Sequence, residues 1–152
     1  DINDVVREAT QLVRHDTIRR RVEIRFALAP EPLVIVGDRV QLQQVVLNLL
    51  LNALDALAEL PADAERRISI ETTHAPRSGL ITVRDTGPGI PKERQTAIFE
   101  PFVTTKRTGL GMGLAISRII VAAHGGVIQV ESEPGAGAAF IVTVPLGTAT
   151  SR

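Results

Sequence analysis

One long helix, expected between residues 39 and 59, constrains the fold more than any other segment of the chain. Asp38 is a suitable N-cap for this helix, and Pro61 prevents it from continuing. Leu, Val and Ala fill most of its surface, and the polar side chains fall within one narrow arc. That arc consists of Gln41, Gln44, Asn48, Asn52, Asp55 and Glu59. The segment is therefore predicted to be an amphipathic helix with a single polar stripe.

The residue types in the middle of this stripe leave two interpretations open. Solvent-facing helix positions are usually Lys, Arg or Glu, whereas Asn48, Asn52 and Asp55 are poor helix formers at interior positions. Their spacing presents three oxygen-bearing side chains on one face. Mg²⁺ takes oxygen ligands and draws several of them from phosphates and water. The stripe is thus consistent both with a wet surface and with a face that binds a metal and phosphates.

The remaining segments predict a two-layer α+β sandwich. Helical and alternating spacings of apolar residues mark the other helices and the strands. Helices are expected at 2–13 and 110–124, the second closed by Gly125 and Gly126, with a short helix after Pro91. Strands are expected at 22–28, 33–36, 67–73, 80–84, 127–133 and 140–145. This order predicts about three main helices on one face of a mixed sheet of about five strands.

Length and composition limit the classes of protein to which the chain can belong. With 152 residues, 44% of them hydrophobic, it is predicted to form one domain over residues 1–152. The 17 basic and 17 acidic residues cancel, so the total charge does not draw it to nucleic acid. The absence of Cys excludes disulfides and Cys-ligated zinc. The Arg19–Arg21 cluster is interpreted as a solvated helix end rather than a binding patch.

No segment has the pattern of a signal peptide or of a membrane span. The most apolar stretch, 45–60, is interrupted by Asn48, Asn52 and Asp55 and is too short and too polar to cross a bilayer. We therefore expect this chain to be cytoplasmic and to make no direct membrane contact, within a parent protein that can itself be membrane-anchored.

A turn-forming segment that begins with a carboxylate follows the strand at 80–84. The residues of the segment 85–89, Asp-Thr-Gly-Pro-Gly, all favour turns, so a purely structural role would explain them. A plain turn does not, however, require an acidic side chain at a strand end beside two glycines that allow close backbone approach. A buried carboxylate at Asp85 would accept a strong, directional hydrogen bond from an amino group. The segment alone does not decide between these roles.

Three alternate glycines, Gly109, Gly111 and Gly113, open the helix expected at 110–124. Glycines cost helix stability, but the exposed N–H groups of a helix start bind anions such as phosphate. Lys106 adds a compact positive charge nearby. A lid or cap without a ligand is the alternative. The segment is neither a P-loop nor a dinucleotide-binding motif, because both require different glycine spacings.

In this order the segments resemble the motifs of the catalytic and ATP-binding domain of bacterial sensor histidine kinases. That family shares the Bergerat fold with gyrase, Hsp90 and mismatch-repair ATPases. Residues 48–56 (Asn-Leu-Leu-Leu-Asn-Ala-Leu-Asp-Ala) resemble its N box, 85–89 its first glycine box, 99–102 its F box and 109–114 its second glycine box. The resemblance covers essentially the whole chain. Residues 102–106, Phe-Val-Thr-Thr-Lys, are similar to the nitrogen-regulation and rhizobial oxygen-sensor subgroup.

The resemblance implies ATP and Mg²⁺ as cofactors and assigns a role to each matching residue. Asn52 would hold Mg²⁺, with Asn48 and Asp55 supporting its waters and the phosphates, and Asp85 would accept the adenine amino group. Gly87, Gly89 and Ile90 would line the base pocket, and Phe99 and Phe102 would anchor a mobile lid. Asn48 and Lys106 would be the catalytic residues. Further nucleotide contacts would come from Thr108, Gly109, Leu110, Gly111, Met112, Gly113 and Leu114.

Two positions depart from the family's patterns. ATP-hydrolysing relatives carry a water-activating Glu where this chain has Asn48, and without a positioned base the attack of water is poorly catalysed. This favours phosphate transfer to a histidine over hydrolysis. The segment 135–140 lacks the Ser or Thr that relatives often place before Phe140, so we expect a structural role for it. The alternatives are an ATPase that drives conformational work and a regulatory domain that binds nucleotide without transfer.

A histidine kinase also needs a phosphoacceptor histidine, which in this family usually lies on a dimeric helical hairpin before the ATP-binding domain. His74 is expected at a strand end and His124 at a helix C-terminus, where its positive charge would suit the dipole. His15 precedes Asp16 but lacks the Asn or Pro usual downstream of an acceptor. We therefore expect the acceptor domain to lie outside this chain. The implied partners are that domain of the homodimer and a response regulator, without nucleic acid.

Overall fold

The computed structural model describes residues 1–100 and 113–147, whose elements form a layer of helices on one face of a five-stranded sheet. The helices are α1 Ile2–Leu12, α2 Arg14–Arg19, α3 Arg39–Ala58 and α4 Gly113–Ala123. The strands are β1 Glu23–Ala27, β2 Arg67–Ala75, β3 Ser78–Asp85, β4 Val127–Ser132 and β5 Ala138–Pro145. Two short 3₁₀ turns, Lys92–Arg94 and Ala97–Phe99, replace the single helix expected after Pro91. The predicted α+β sandwich is confirmed, with α2 as an additional short helix.

The sheet is mixed and places the end of β3 near its centre. Its strand order is β1-β2-β3-β5-β4, with β1 parallel to β2 and the other pairs antiparallel. At the last position of β3, Asp85 lies opposite Ile68 of β2 on one side and Ala138 of β5 on the other. A side chain at this position is therefore flanked by two strands and shielded from solvent.

Helix α3 forms the centre of the core. The Asp38 side chain accepts from the Gln41 backbone N–H at 3.0 Å, which satisfies one of the unpaired donors at the helix start. Eight side chains of α3 are buried: Leu42, Val45, Val46, Leu49, Leu50, Ala53, Leu54 and Leu57. By length and composition alone α3 would be long and apolar enough to cross a membrane. These buried residues instead belong to the core between the helices and the sheet.

The prediction of a strand at 33–36 was wrong. Leu33 is fully buried, but its backbone groups bond to the start of α1: its N–H donates to Asp1 Oδ1 at 3.0 Å, and its C=O accepts from Ile2 at 2.9 Å. The Val34 carbonyl accepts from the Gly147 N–H at 2.8 Å. These isolated bonds, directly after Pro32, connect the segment to the start of α1 and to Gly147 instead of to a neighbouring strand.

The end of α4 is closed by the two glycines, as predicted. Gly125 has φ of 76°, and the N–H groups of Gly125 and Gly126 donate to Ala122 at 3.0 Å and Val121 at 2.9 Å. The His124 ring lies at this helix end, as expected. Its Nε2 accepts from the Asp38 N–H at 3.0 Å, and its Nδ1 lies 2.8 Å from the Ile120 carbonyl, so it joins the end of α4 to the start of α3.

Candidate functional site

Within the polar stripe of α3, Asn48 faces the start of α4. Asn48 Nδ2 donates to the Gly113 carbonyl and to Ser117 Oγ, both at 3.2 Å. Ser117 is fully buried on α4, whereas Asn48 is half-buried. Both N–H donors of the Asn48 amide therefore bond to α4. Its carbonyl oxygen is the atom that can face a ligand.

The buried carboxylate of Asp85 marks the other end of the site. The side chain is 3% exposed, and one of its oxygens accepts from the Gly87 N–H at 2.8 Å. Burial raises the pKa of Asp85 above its ordinary value, while the backbone N–H groups of Gly87 and Ala138 act in the opposite direction. A carboxyl group that is costly to ionise and lies at a strand end is suited to accept a hydrogen bond from a buried amino group.

The absence of a side chain at Gly87 allows the strand end to approach α3. A Cβ placed there would lie 2.8 Å from Asp85 Oδ1 and 3.1 Å from the Cβ of Ala56. Gly87, whose N–H binds the Asp85 carboxylate, therefore packs against the C-terminal half of α3 at Ala56, one residue past Asp55. The structure thus brings the two predicted motifs together, which sequence spacing alone did not establish.

Residues outside the predicted motifs hold the segment around Ile90, which was predicted to line a base pocket. The Ile90 N–H donates to Ser132 Oγ at 2.8 Å, and Gln95 Nε2 donates to the Ile90 carbonyl at 2.9 Å. Ser132 Oγ in turn donates to the Gly137 carbonyl at 2.7 Å. Neither Ser132 nor Gln95 was predicted from the sequence. The only signal that could have indicated Ser132 was its position as a polar residue facing inward on a strand, and Gln95 had no such signal.

Gly137, in the segment that was expected to be structural, packs on the backbone of Asp85. It has φ of 79°, and a Cβ there would lie 2.0 Å from the Asp85 carbonyl oxygen. The segment 135–140, expected to be structural, therefore packs on the backbone of the residue whose carboxylate the site depends on.

Phe99, predicted to anchor a lid, lies in the core rather than along the polar stripe. It is 9% exposed and packs edge-to-face on Phe140, with ring centroids 6.2 Å apart. The Arg118 guanidinium of α4 lies 5.9 Å from the centre of the Phe99 ring. Phe99 thus fixes the start of the segment that leads to residue 101.

Several predicted residues lie outside the described part of the chain. They are Phe102, Lys106, Thr108, Gly109, Leu110, Gly111 and Met112. Gly113 and Leu114 begin α4, where Gly113 is exposed and Leu114 half-buried. The contact of Gly113 with Asn48 places the start of α4 next to the stripe.

The donor set of the stripe fits Mg²⁺ that is shared with phosphates. Among residues 1–100 and 113–147, no group of three or more His, Cys, Asp or Glu side chains could hold a metal by itself. The stripe offers instead the oxygens of Asn48, Asn52 and Asp55 along about two turns of α3. Mg²⁺ commonly binds in this way, through one or two side-chain oxygens with phosphates and waters completing the octahedron.

Residues 37–148 match the family model described as histidine kinase-, DNA gyrase B- and HSP90-like ATPase. The C4-dicarboxylate transport sensor protein DctB of Rhizobium meliloti is 41% identical over 94% of this chain and 22% of its own length. The sensor protein FixL of Bradyrhizobium diazoefficiens is 38% identical over 95% of this chain and 28% of its own. The sensor histidine kinase TmoS of Ectopseudomonas mendocina is 35% identical over 96% and 15%. The chain thus spans less than a third of the length of these relatives, two of which are rhizobial, in accordance with the predicted subgroup.

Solved histidine kinase structures have the same fold. The nucleotide-free catalytic domain of ThkA superposes with a TM-score of 0.85 and 32% identity, covering 96% of this chain and 93% of that one. Full-length ShkA in complex with AMPPNP gives 0.86 and 31%, covering 99% and 31%. ThkA in complex with the response regulator protein TrrA gives 0.81 and 31%, covering 97% and 41%.

Proposed function

We propose that this chain, which belongs to the family of histidine kinase-, DNA gyrase B- and HSP90-like ATPases, is a catalytic domain that binds Mg-ATP. Since its relatives are sensor histidine kinases, we further propose that it passes the γ-phosphate to a histidine. The acceptor histidine would lie on a separate helical dimerisation domain of the parent protein. The proposal depends above all on one observation: Gly87, whose N–H binds the buried Asp85 carboxylate, packs closely against Ala56 of α3, next to the polar stripe.

Asp85 supports adenine as the base. Its carboxylate, flanked by two strands, can accept from the exocyclic amino group of adenine, whereas guanine carries a carbonyl at the corresponding position. An oxygen facing that carbonyl would leave two acceptors opposed and unsatisfied in a buried site, which costs about 1–3 kcal/mol. We therefore infer selection of ATP over GTP.

The stripe of α3 supports a role for the phosphate end of the nucleotide. Asn52 would hold Mg²⁺, which neutralises phosphate charge when bound, and the Asn48 carbonyl oxygen and Asp55 would hold its waters. Lys106 and the glycines of 109–113, which the structure does not describe in full, are proposed to contact the terminal phosphates. In the transfer, the acceptor histidine nitrogen would form a bond to the γ-phosphorus as the bond to the bridging oxygen breaks and ADP leaves. Because this reaction depends mainly on positioning and charge neutralisation, none of these residues needs to form a covalent intermediate.

Asn48 favours transfer over hydrolysis. Both N–H donors of its amide are bonded to α4, and an amide is not a base at any physiological pH. Water at this position would lack a proton acceptor from Asn48. This disfavours the second candidate function, an ATPase that drives conformational work.

Isothermal titration calorimetry of this chain with Mg-ATP and Mg-GTP tests the binding step. We expect ATP to bind and GTP to bind at least about tenfold more weakly, the equivalent of one lost hydrogen bond. Asp85→Asn should weaken ATP by about 1.5–3 kcal/mol, because a charge-assisted hydrogen bond is lost. Equal affinity for the two nucleotides, or an unchanged affinity in Asp85→Asn, would contradict the adenine role.

The intact parent protein tests the transfer step. Incubation with γ-labelled ATP should label a histidine outside residues 1–152, with the acid-labile, base-stable behaviour of a phosphoramidate. Steady-state phosphate release by this chain alone should remain slow. Fast release would support the ATPase, and normal ATP binding without any label on the parent would support a regulatory nucleotide domain.

The parent protein supplies the other expected partners. We propose a homodimer that presents the helical acceptor domain, a response regulator as the downstream acceptor, and a cytoplasmic location for this domain. The sensor kinase names of the relatives and the ThkA–TrrA complex support this arrangement.

A further inference from the structure

An arginine outside every predicted motif approaches the ligand stripe from the side. Arg20 Nη1 lies 3.9 Å from Asp55 Oδ1, and the two side chains are 38% and 45% exposed. Asp55 lies on the stripe three residues after Asn52 and one before Ala56, which touches the Asp85–Gly87 segment. A positive charge therefore lies at the rim of the site, next to its base end.

The position of Arg20 follows from how α1 and α2 run along α3. Glu8 of α1 accepts from Arg39 Nε at 3.0 Å and from Gln43 near the start of α3, whereas Arg20 reaches Asp55 near its end. The chain thus passes from the start of α3 at Glu8 to its C-terminal half at Arg20, so the end of α2 is level with Asp55.

The backbone at the end of α2 is closed by a rigid cap. Arg21 has φ of 57°, its N–H donates to Ile18 at 3.2 Å, and the Val22 N–H donates to the carbonyl of the buried Thr17 at 2.8 Å. These two bonds and the left-handed residue form the Schellman arrangement. This cap fixes the backbone at Arg20, from which its side chain reaches Asp55.

The ion pair itself explains little of why a cation lies here. A half-exposed pair at 3.9 Å contributes little to stability. Next to a polyanionic ligand, in contrast, the Asp55 carboxylate adds repulsion, which the proposed Mg²⁺ or the Arg20 guanidinium would offset. A guanidinium has five donors, so Arg20 can remain near Asp55 and still donate to a phosphate, whose geometry it matches.

We propose that Arg20 is a nucleotide-binding residue that contacts the phosphate nearest the ribose. This inference rests on the proposed ATP site. The base would lie at Asp85 and the terminal phosphates towards Asn48, about twelve ångströms further along α3 by the helical rise over the eight residues from Ala56. The first phosphate would lie between these two ends, and because helical side chains lean towards the helix N-terminus, the Asp55 carboxylate and the neighbouring Arg20 guanidinium lie along that stretch.

Calorimetry with ADP and adenosine tests this role. Arg20→Ala should weaken ADP roughly tenfold, the effect of removing one charge-assisted hydrogen bond, and leave adenosine within about twofold of wild type. Arg19→Ala is the matched control: it removes the same charge from the same helix end, but Arg19 pairs with Asp16 at 3.0 Å. It should change neither ligand. Equal losses for ADP and adenosine, or for the two variants, would overturn the contact.

A double-mutant cycle separates a phosphate contact from simple neutralisation of Asp55. In an Asp55→Asn background, Arg20→Ala should still weaken ADP roughly tenfold. If Arg20 acted only by neutralising Asp55, its removal would cost nothing in this background, and the proposed contact would be wrong. Failure of the wild-type chain to bind both ligands would refute the ATP site itself, which is a different result from normal binding without any effect at Arg20.

Discussion

Asn48 donates its side-chain amide to the backbone carbonyl of Gly113 at 3.2 Å, across 65 positions of the sequence. The same nitrogen donates to the buried Ser117 Oγ at 3.2 Å. This connection joins the polar stripe of α3 to the first turn of α4, the helix that follows the glycine-rich segment. One of the two residues predicted to be catalytic therefore also bonds to the neighbouring helix.

Asn48→Ala should lower the free energy of unfolding by about 1–2 kcal/mol, because two hydrogen bonds are lost and Ser117 remains buried. Urea unfolding followed by circular dichroism measures this change. Gln44→Ala is the control, since Gln44 lies one turn earlier on the same stripe and is exposed. It should change stability by less than about 0.5 kcal/mol. Identical stabilities of the two variants would mean that the bond to α4 contributes nothing in solution.

Gly137→Ala should destabilise the protein by more than about 2 kcal/mol and weaken ATP binding, because the new Cβ would displace the backbone of Asp85. Gly135→Ala separates this clash from backbone strain. Gly135 has a similar φ of 84° but no atom within 4 Å of the position of a Cβ, so its substitution should cost only about 1–2 kcal/mol. Thermal unfolding and ATP titration of both variants provide the comparison. A smaller effect at 137 than at 135 would contradict the packing on Asp85.

Asp85 should make stability and ATP binding respond to pH in opposite directions. Burial raises its pKa in the folded protein above that of the unfolded chain. Its contribution to folding is therefore complete below the unfolded pKa and is lost as the pH rises through the folded pKa. Between these two pKa values, acidification should stabilise wild type relative to Asp85→Asn.

ATP affinity should fall over the same window, since the charged acceptor for the adenine amino group is lost. Denaturant unfolding and calorimetry of wild type and Asp85→Asn across this pH range measure the two trends. A stability difference between the proteins that stays constant with pH would show that Asp85 titrates normally.

Asn52→Ala should weaken ATP binding about tenfold in the presence of Mg²⁺ and change metal-free ADP binding much less, because Asn52 is proposed to act through the metal. Calorimetry with Mg²⁺ and with a chelator measures both values. A folded variant that loses affinity equally in the two conditions would indicate a direct nucleotide contact instead of a metal ligand.

Local sequence patterns determined most of the helices and strands. Asp38, Pro61 and the apolar spacing between them predicted α3 to within one residue, because a cap, a breaker and a periodic core face are all local properties. The glycine pair at 125–126 predicted the end of α4 for the same reason. The 33–36 segment looked like a strand by the same rules and was not one, because its neighbours in space are the start of α1 and Gly147.

The order and type of the motif residues determined the family, but tertiary structure decided which other residues join the site. Ser132 and Gln95 hold Ile90, Gly137 packs on Asp85, Ser117 pairs with Asn48, and Arg20 reaches Asp55. None of these contacts has a local signature, because each joins segments that only the strand order and the helix packing bring together. The long helix, with its Asn and Asp stripe, could be predicted from the sequence because its pattern repeats along one element. What surrounds that stripe depends on residues that are distant in the chain.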